Sequence, residues 1–192
     1  MNPLAAALVS RVEWAALRAG PGTAVGLPRA LRGLASAESE EDAKEWYWRV
    51  DNVVVVQGML HESAPPTVPV LFALLAGTLS GPARYRVVEL LVELAGGETA
   101  QSEVDRGDAE VHLRCQDAMR QGRWTVYGLL SDPDPRIRID AITLLALLED
   151  DAAQAGPVLH DIGANDPDPR VRAEANALLS EYGTAGGEKP LR

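Results

Sequence analysis

The chain has 192 residues and a formal net charge of −10, from 28 acidic and 18 basic side chains. This length suits one domain with a continuous core, and so acidic a balance argues against nucleic-acid binding, which needs cations for the phosphates. The single Cys115 excludes an internal disulfide and predicts a reducing, cytoplasmic compartment. No apolar run approaches the ~18 residues of a membrane helix, and the N-terminus lacks the basic start of a signal peptide.

Apolar residues at helical spacing predict helices along the first third of the chain. The first helix is expected from Pro3 to Ala19 and the second from Leu27 to Leu34. A long third helix is predicted from about Ser39 to Glu62, and its middle, Val53 to Val56, is apolar on every side. Four β-branched residues in a row are also typical of a strand. Capable helix formers on both sides, with no evident pairing strand nearby, favour the helix.

Helical spacing continues through the rest of the chain, interrupted by one polar connection. Residues 65–97 are predicted to form a pair of helices, in which Val87, Val88, Leu91 and Leu94 face inward. The remaining predicted segments are helices from Val68 to Leu79 and from Arg84 to Ala95, a loop from Glu98 to Asp108, and a helix over 109–130 with a break near Gly122.

The clearest internal feature is a repeated motif. The segment SDPDPRIRIDAITLLALL, which begins at Ser131, returns at Asn165 as NDPDPRVRAEANALLSEYG, with Asp132 and Asp166 separated by 34 residues. A repeat of this period is the signature of a solenoid. Asp134 suits a helix N-cap because its carboxylate can accept a hydrogen bond from a free backbone N–H. Pro135 then stands at the first helical position, where proline is tolerated.

These residues resemble HEAT repeats, in particular the short HEAT-like repeats of phycobilisome lyases. The family pattern is an aspartate in the turn followed by a Val-Arg pair, here Asp132 with Ile137-Arg138 and Asp166 with Val171-Arg172. The resemblance implies that these charged residues form a ladder between repeats and are structural. It also implies an all-α protein, a right-handed α-solenoid of about four hairpins. A bacterial source is predicted separately, from the abundance of Ala, Gly, Arg and Leu with only two lysines. The clearest repeats would be 65–97, 109–149 and 151–183, in one domain over 1–183 with a disordered tail over 184–192.

In such a solenoid the second helices line a concave groove that can bind a partner. The most unusual composition there is the run Trp46-Tyr47-Trp48. Three consecutive aromatics cannot all face one core, so at least one should be partly exposed, as binding hot spots require. The alternative is that these rings pack in the core and the polar stripes are ordinary solvated faces. The predicted ligand-binding residues are Trp48, Asp51, Asn52, Gln57, His61, Arg86 and Glu89.

Motifs for catalysis are sparse. The three histidines match no metal-binding spacing, and the glycines match no phosphate-binding loop, so no metal and no cofactor is predicted. His112 and Cys115 share a helix face, but a nucleophilic cysteine also needs an orienting third group, and most single cysteines are small buried apolar residues. Catalytic residues therefore stay unknown, and the balance of motifs is against an enzyme.

Two functions of different classes remain open. The first is a non-enzymatic module that binds a partner protein or peptide in its groove, in a regulatory or toxin-neutralising role. The second is an enzyme or chaperone for a small-molecule substrate, lyase- or cyclase-like, with a pocket beside the helix from Trp46 to His61. The resemblance also admits a DNA glycosylase, but a net charge of −10 argues against it. Neither nucleic acid nor membrane is predicted as a partner, and the oligomeric state stays open.

Overall fold

The structure, a computed structural model, describes residues 1–20, 22–149 and 152–185. Helices account for 72% of these residues and strands for 4%, which confirms the all-α class. None of the helices in the described ranges is long and apolar enough to cross a membrane. Contacts divide the chain into two compact units, residues 1–125 and residues 126 onward. The expectation of one domain over 1–183 stays a prediction.

Seven helices of the described residues belong to the first unit. Helix α4 is buried on nearly every side and packs against α1, α5 and α7, while α3 packs against α2 and α5. An α-helix that is apolar all round is expected to lie at the centre of its unit. The helices are α1 (Pro3–Ser10), α2 (Leu27–Ser36), α3 (Glu40–Val54), α4 (Ala64–Leu75), α5 (Gly81–Gly96), α6 (Gln101–Val104) and α7 (Val111–Gln121).

The first helix is shorter than predicted. It ends at Ser10, and residues 11–17 form a series of turns in place of the expected helix to Ala19. The indole Nε1 of Trp14, which is buried, donates a hydrogen bond to the carbonyl oxygen of Val9 at 2.7 Å. In a continuing helix that carbonyl would accept from the backbone N–H four residues later. The tryptophan therefore satisfies the helix end, and the prediction was wrong beyond Ser10.

The long third helix is also shorter than predicted. It ends at Val54, and the chain then forms a small hairpin of β1 (Val55–Val56) and β2 (Met59–Leu60). The connecting residues Gln57 and Gly58 have φ angles of 54° and 77°, and two positive φ angles are what a tight type I′ hairpin turn requires. The β-branched run thus divides between helix and strand, and the preference for helix through to Glu62 was wrong.

A third short strand lies in the segment expected to be a loop. Strand β3 (Glu98–Thr99) pairs with β2 in parallel, so the sheet order is β1-β2-β3. The backbone N–H of Ala100 donates to the carbonyl of Leu60 at 3.0 Å, which continues the pairing. Helix α6 follows immediately. The supposed loop from Glu98 to Asp108 is therefore structured, and it brings α6 beside the hairpin that follows α3.

The helix predicted from Val68 to Leu79 begins earlier, at Ala64, and ends at Leu75, so its prediction was wrong beyond Leu75. The inward face of the next helix is confirmed. All four residues expected to face inward on α5 are buried: Val87, Val88, Leu91 and Leu94. Pro65 and Pro66 lie in the first turn of α4, where missing N–H groups leave no helix bond unmade. The predicted break near Gly122 separates α7 from α8 (Arg123–Leu129).

The second unit contains the two matched repeats. It holds α9 (Pro135–Leu148), α10 (Ala152–Asn165) and α11 (Pro169–Ala185). The carboxylates of Asp134 and Asp168 accept hydrogen bonds from the backbone N–H groups two residues later, at 2.9 and 2.8 Å. Both aspartates therefore cap their helices as predicted. The expected tail lies mostly outside the described residues, which end at 185.

An arginine–aspartate ladder connects the two repeats. The guanidinium of Arg138 donates to both carboxylate oxygens of Asp166, at 2.7 and 2.8 Å, and to the carbonyl of Asp132 at 2.8 Å. Arg138 is only 7% exposed. This bond raises the pKa of Arg138 and lowers that of Asp166. The geometry is that of a buried, bidentate, charge-assisted pair, which accounts for these residues in terms of stability.

Candidate functional site

Helix α3 carries three consecutive aromatic side chains that face different surroundings. Successive helical residues are about 100° apart around the axis, so the run cannot share one environment. Tyr47 is buried, whereas Trp48 is 48% exposed. Trp46 lies over Gly33 of α2, so close that a Cβ atom at that glycine would overlap the indole ring. The prediction that at least one of the three is partly exposed is confirmed by Trp48.

Two of these three rings already have an arginine stacked on them. The guanidinium carbon of Arg49 lies 4.7 Å from the ring centroid of Trp46, and that of Arg86 on α5 lies 5.6 Å from the ring centroid of Tyr47. Both distances are within the range of a cation–π interaction. Trp48 has no such partner in the described part of the chain, and its ring forms a T-shaped contact with that of Tyr47 at a centroid distance of 5.0 Å.

Asp51 lies one turn after Tyr47 and is a buried carboxyl group, 8% exposed. Burial raises its pKa to about 6, and the carboxylate of Glu93 raises it too. A hydrogen bond from the Tyr47 hydroxyl lowers this pKa, while Glu89 raises it. Withdrawal from water disfavours the charged form of an acid. Within the described ranges, no arginine, lysine or histidine forms an ion pair with Asp51 or Glu93.

Arg86 and Glu89 form a pair of their own on α5. The Nη1 of Arg86 donates to the carboxylate of Glu89 at 2.5 Å, so this arginine neutralises Glu89. The Nε of Arg86 is buried and has no hydrogen-bond partner among the residues that the structure describes. Both residues were predicted to bind a ligand, and they lie beside Tyr47 and Asp51 respectively. Neither residue is among those that line the groove described next.

An open groove of about 360 Å³ lies between α3, the hairpin and α5. We name it the Trp48 groove. Its lining combines two aromatic rings, two carboxyl groups and two side-chain amides: Tyr47, Trp48, Asp51, Glu93, Asn52 and Gln57. Aromatic faces and carboxylates both attract cations, and amides provide paired donors and acceptors. The groove is therefore suited to an extended, polar and positively charged group.

A larger open cleft of about 710 Å³ adjoins this groove, and the two share Asn52, Val56 and Gln57. We name it the His61 cleft. Its lining includes Gly20, Met59, His61, Gln101 and Ser102. The mixture of amides, a hydroxyl and one imidazole suits a ligand with several hydrogen-bonding groups.

His61 lines this cleft and lies beside a pair of charged side chains, those of Arg18 and buried Glu103. Glu103 of α6 is 1% exposed, and its Oε1 lies 3.4 Å from Nδ1 of His61 while its Oε2 accepts a 2.6 Å hydrogen bond from Nε of Arg18. The two groups are close but not hydrogen-bonded, because Nδ1 has no hydrogen-bond partner within the described residues. Nε2, on the other side of the ring, faces the cleft wall at Gly20. The ring is thus placed with Glu103 on its Nδ1 side and the cleft at its Nε2 side.

The predicted binding residues therefore gather on one side of the first unit. Trp48 and Asp51 line the Trp48 groove, His61 lines the cleft, and Asn52 and Gln57 line both. The structure places Gln57 at the hairpin turn instead of on a helix, with its side chain exposed. That these residues bind a ligand stays a prediction.

Two residues of this region were missed by sequence reasoning. Arg18 was assigned to a regular helix, and Glu103 to a polar loop, yet they form an ion pair across 85 positions of the chain. The pairing depends on β3 joining the hairpin, because this brings α6 beside the cleft. No periodicity or motif connects the two residues, so only the three-dimensional structure reveals them.

The alternative site at Cys115 has no catalytic character. The thiol is fully buried, and burial raises its pKa to about 12. A protonated thiol is a poor nucleophile. His112 instead contacts the hydroxyl of Thr99, with its Nδ1 at 2.9 Å. In the described part of the chain, no group of three or more His, Cys, Asp or Glu side chains is arranged to hold a metal ion.

Comparison with known proteins identified no relative of this chain. No protein-family profile matches the chain, and neither a curated protein nor a solved structure matches it.

Proposed function

We propose that this chain is a non-enzymatic interaction module that binds a partner protein or peptide through the surface around α3. The observation that supports this most strongly is the exposure of Trp48, which is 48% exposed at the edge of an open groove. Tryptophan is enriched among the anchor residues of protein interfaces. The groove and the adjoining cleft are both open, as an extended partner requires.

The polar lining also favours a peptide. Asn52 and Gln57 stand where the Trp48 groove meets the His61 cleft. A side-chain amide carries both a donor and an acceptor, so it can match the N–H and C=O groups of an extended backbone. Asn52 donates to the carbonyl of Trp48 at 2.8 Å, which leaves its carbonyl oxygen open to a partner. A peptide crossing both depressions would meet these amides at its middle.

We further propose that the chain is built from HEAT-like repeats in a right-handed solenoid of about four hairpins. The Arg138–Asp166 pair supports this proposal because it joins the arginine of one repeat to the turn aspartate of the next, as the family pattern implies. The capped turns recur in both repeats and support it too. A bacterial, cytoplasmic module of this kind would act as a regulator or as a toxin-neutralising partner. Its acidic composition, with a net charge of −10, favours a basic partner.

The experiment is a selection of peptides from a random displayed library, followed by affinity measurement on the purified chain. Replacing Trp48 and Asn52 together with alanine should weaken selected peptides by about 30-fold, because losing an anchor aromatic costs ~2 kcal/mol. Asp140→Ala and Glu174→Ala, in the second unit, serve as matched controls and should bind as the wild type does. If the double variant folds and binds normally while the controls lose binding, the α3 surface is not the site.

A second candidate function rests on the His61 cleft. The position of His61, whose imidazole lines the cleft with the carboxylate of buried Glu103 3.4 Å from Nδ1, is one from which a histidine can contact the polar groups of a bound ligand. It favours an enzyme or chaperone for a small polar molecule. The test is a thermal-shift screen of metabolites: this candidate requires a compound that stabilises the wild type but not His61→Gln. A screen in which no compound depends on His61 would reject it.

A further inference from the structure

We propose that the Trp48 groove binds the guanidinium group of an arginine side chain on the partner. This assignment rests on the proposed peptide-binding function and specifies its chemistry. It follows from three groups without a cationic partner in the described residues that line one groove: the partly exposed ring of Trp48 and the carboxyl groups of Asp51 and Glu93.

The first step concerns charge. Asp51 is a carboxyl group that is more than nine-tenths buried, and within the described ranges neither it nor Glu93 has a cationic partner. Arg86 is the cation closest along α5, but its Nη1 is engaged by Glu89 at 2.5 Å. Buried carboxylates in proteins are normally paired or hydrogen-bonded. A cation supplied from outside would complete this pair of acids.

The second step is a precedent within the same helix. Arginines already stack on Trp46, at 4.7 Å, and on Tyr47, at 5.6 Å. Trp48 is the next residue of the run, and it is the one ring of the three without a guanidinium in the described part of the chain. The intramolecular sites show that this helix can present its aromatic faces to guanidinium groups. The ring at Trp48 is 48% exposed, so part of it remains accessible to a guanidinium from a partner.

The third step distinguishes arginine from lysine. A guanidinium is flat, so it can stack on an indole, and its N–H groups point outward in its plane toward acceptors. The groove offers an indole together with carboxyl groups on two different helices, Asp51 on α3 and Glu93 on α5. An ammonium group is a compact and more strongly hydrated charge, which gains less from a flat ring. The groove is therefore matched to arginine.

Ionisation of the Asp51 carboxyl group predicts that affinity for arginine depends on pH. The groups facing Asp51 are Tyr47 on its own helix and Glu89 and Glu93 on α5, and its pKa is about 6. An arginine binds the ionised form, so its affinity should rise as pH increases. Between pH 5 and pH 7.5 the rise should approach about tenfold, since a group with this pKa is roughly one-tenth ionised at pH 5.

The experiment uses the full chain and a blocked pentapeptide, Gly-Gly-Arg-Gly-Gly, with a citrulline peptide as the uncharged isostere. The four tryptophans give four indole N–H resonances, and Trp48→Phe identifies the one from Trp48. The arginine peptide should shift that resonance in a saturable way at pH 7.5. The citrulline peptide should bind at least about tenfold more weakly, because it lacks both the charge pairing and the cation–π contact.

Two variants test the assigned carboxyl groups, and a third is their control. Asp51→Asn and Glu93→Gln should each weaken the arginine peptide by about fivefold or more, and Asp51→Asn should also remove the pH dependence. Glu93 is exposed, so its replacement leaves the core untouched even if Asp51→Asn alters folding. Glu41→Gln, an exposed change in the first turn of α3, is the charge-matched control and should bind as wild type does.

Two results would overturn the assignment. One is equal binding of the citrulline and arginine peptides, and the other is tighter binding of the corresponding lysine peptide. The proposed function can fail separately. If library peptides bind in a Trp48-dependent way but lack arginine and tolerate Asp51→Asn, the module binds peptides and this inference is wrong. If no peptide binding depends on Trp48, both proposals are wrong.

Discussion

The turns of the second unit and the α3 surface of the first unit differ in whether their carboxylates are paired with arginines. In the turns, Asp134 and Asp168 cap helices and are paired with arginines two residues later, at 2.7 and 2.8 Å. The carboxylate of Asp166 is paired with Arg138. On the α3 surface, Asp51 and Glu93 have no cationic partner in the described residues, although Asp51 is buried.

The difference separates residues that build the fold from residues that await a ligand. Removing one partner of a buried ion pair leaves an uncompensated charge and is strongly destabilising, while removing a buried charge that has no counter-charge relieves its desolvation cost. Proteins keep such unfavourable groups mainly at functional sites, where a local rule is broken for the sake of binding. Removing a charge should therefore have opposite effects on stability in the two regions.

The largest effect is expected for Arg138→Ala in the turns. The change leaves the carboxylate of Asp166 buried with no counter-charge, and breaking a buried pair in this way typically costs about 3–5 kcal/mol. Hydrogen exchange followed by mass spectrometry should show faster exchange in α9 and α11. Arg136→Ala removes a more exposed partner from the same turn and is the matched control. Equal exchange rates in the two variants would contradict the buried ladder.

The sign of the pH dependence sharpens this prediction. Arg138 lowers the pKa of Asp166 below its ordinary value of 3.8. A carboxyl group with a lowered folded-state pKa contributes stability that is present above its unfolded pKa and is lost as pH falls through the folded value. The deficit of Arg138→Ala should therefore be full at pH 7 and should shrink below about pH 4.

The two regions also differ in how far the sequence predicts them. The turn motif recurs at a separation of 34 residues, and its Asp-Pro pairs specify a cap and a first helical residue, so α9 and α11 were predicted correctly. Their chemistry is local, because each aspartate acts within two residues. The inward face of α5 was likewise predicted from helical spacing alone.

Around the site, non-local contacts outweigh local propensity. The run Val53 to Val56 is compatible with helix or strand. Its last two residues become a strand because they pair with Met59–Leu60, which in turn pairs with the distant Glu98–Thr99. Neither two-residue strand has a recognisable sequence pattern. The aromatic run identified α3 as unusual, and Asn52, Gln57 and His61 do line depressions there. Glu103 lies beside His61 because β3 pairs with β2 and α6 follows β3 directly. No sequence pattern predicts the pairing of β2 with β3.

The second largest effect has the opposite sign and concerns Asp51→Asn. The folded-state pKa of Asp51 is about 6, above its ordinary value of 3.8. A raised pKa means that the protonated group's contribution to stability is present below about pH 4 and is lost as pH rises through 6. Replacing this carboxyl by an amide should therefore stabilise the chain at pH 7.5, on the order of 2 kcal/mol. Thermal melts at pH 7.5 and pH 4 measure the difference.

The gain from Asp51→Asn should nearly vanish at pH 4, where the carboxyl group is protonated in the folded state. Glu41→Gln, which removes an exposed charge from the same helix, should not change the melting temperature at either pH. A variant that is less stable than the wild type at pH 7.5 would mean that Asp51 has a stabilising partner, and the contrast with the turns would then disappear.

A smaller loss is expected for Arg172→Ala, which tests whether the ladder or the turn carries the stability of the repeats. Arg172 occupies the same place in its repeat as Arg138, but it donates only to backbone carbonyls, at 2.7 Å to Asp166, and has no paired carboxylate in the described residues. Its removal should cost ~1 kcal/mol, the value of one hydrogen bond from a charged donor that is partly exposed. Denaturant unfolding that gives equal losses for Arg138→Ala and Arg172→Ala would place the stability in the turn alone.

The smallest effect is expected at the hairpin turn, where the α3 surface again departs from local preference. Gln57 has a φ angle of 54° and is followed by Gly58 at 77°. Asparagine tolerates the left-handed region better than glutamine, and Asn-Gly is the favoured pair for this turn. Gln57→Asn should therefore raise stability by about 0.5 kcal/mol, part of the roughly 1 kcal/mol that a left-handed conformation costs an ordinary residue. Gly58→Ala is the opposing control and should lower stability by about 1 kcal/mol, because alanine adopts that conformation only with strain.

The same Gln57→Asn variant also tests the role of the turn in binding. If it keeps arginine-peptide affinity while gaining stability, the turn positions the groove without contacting the ligand. A loss of affinity would assign the longer glutamine side chain to binding.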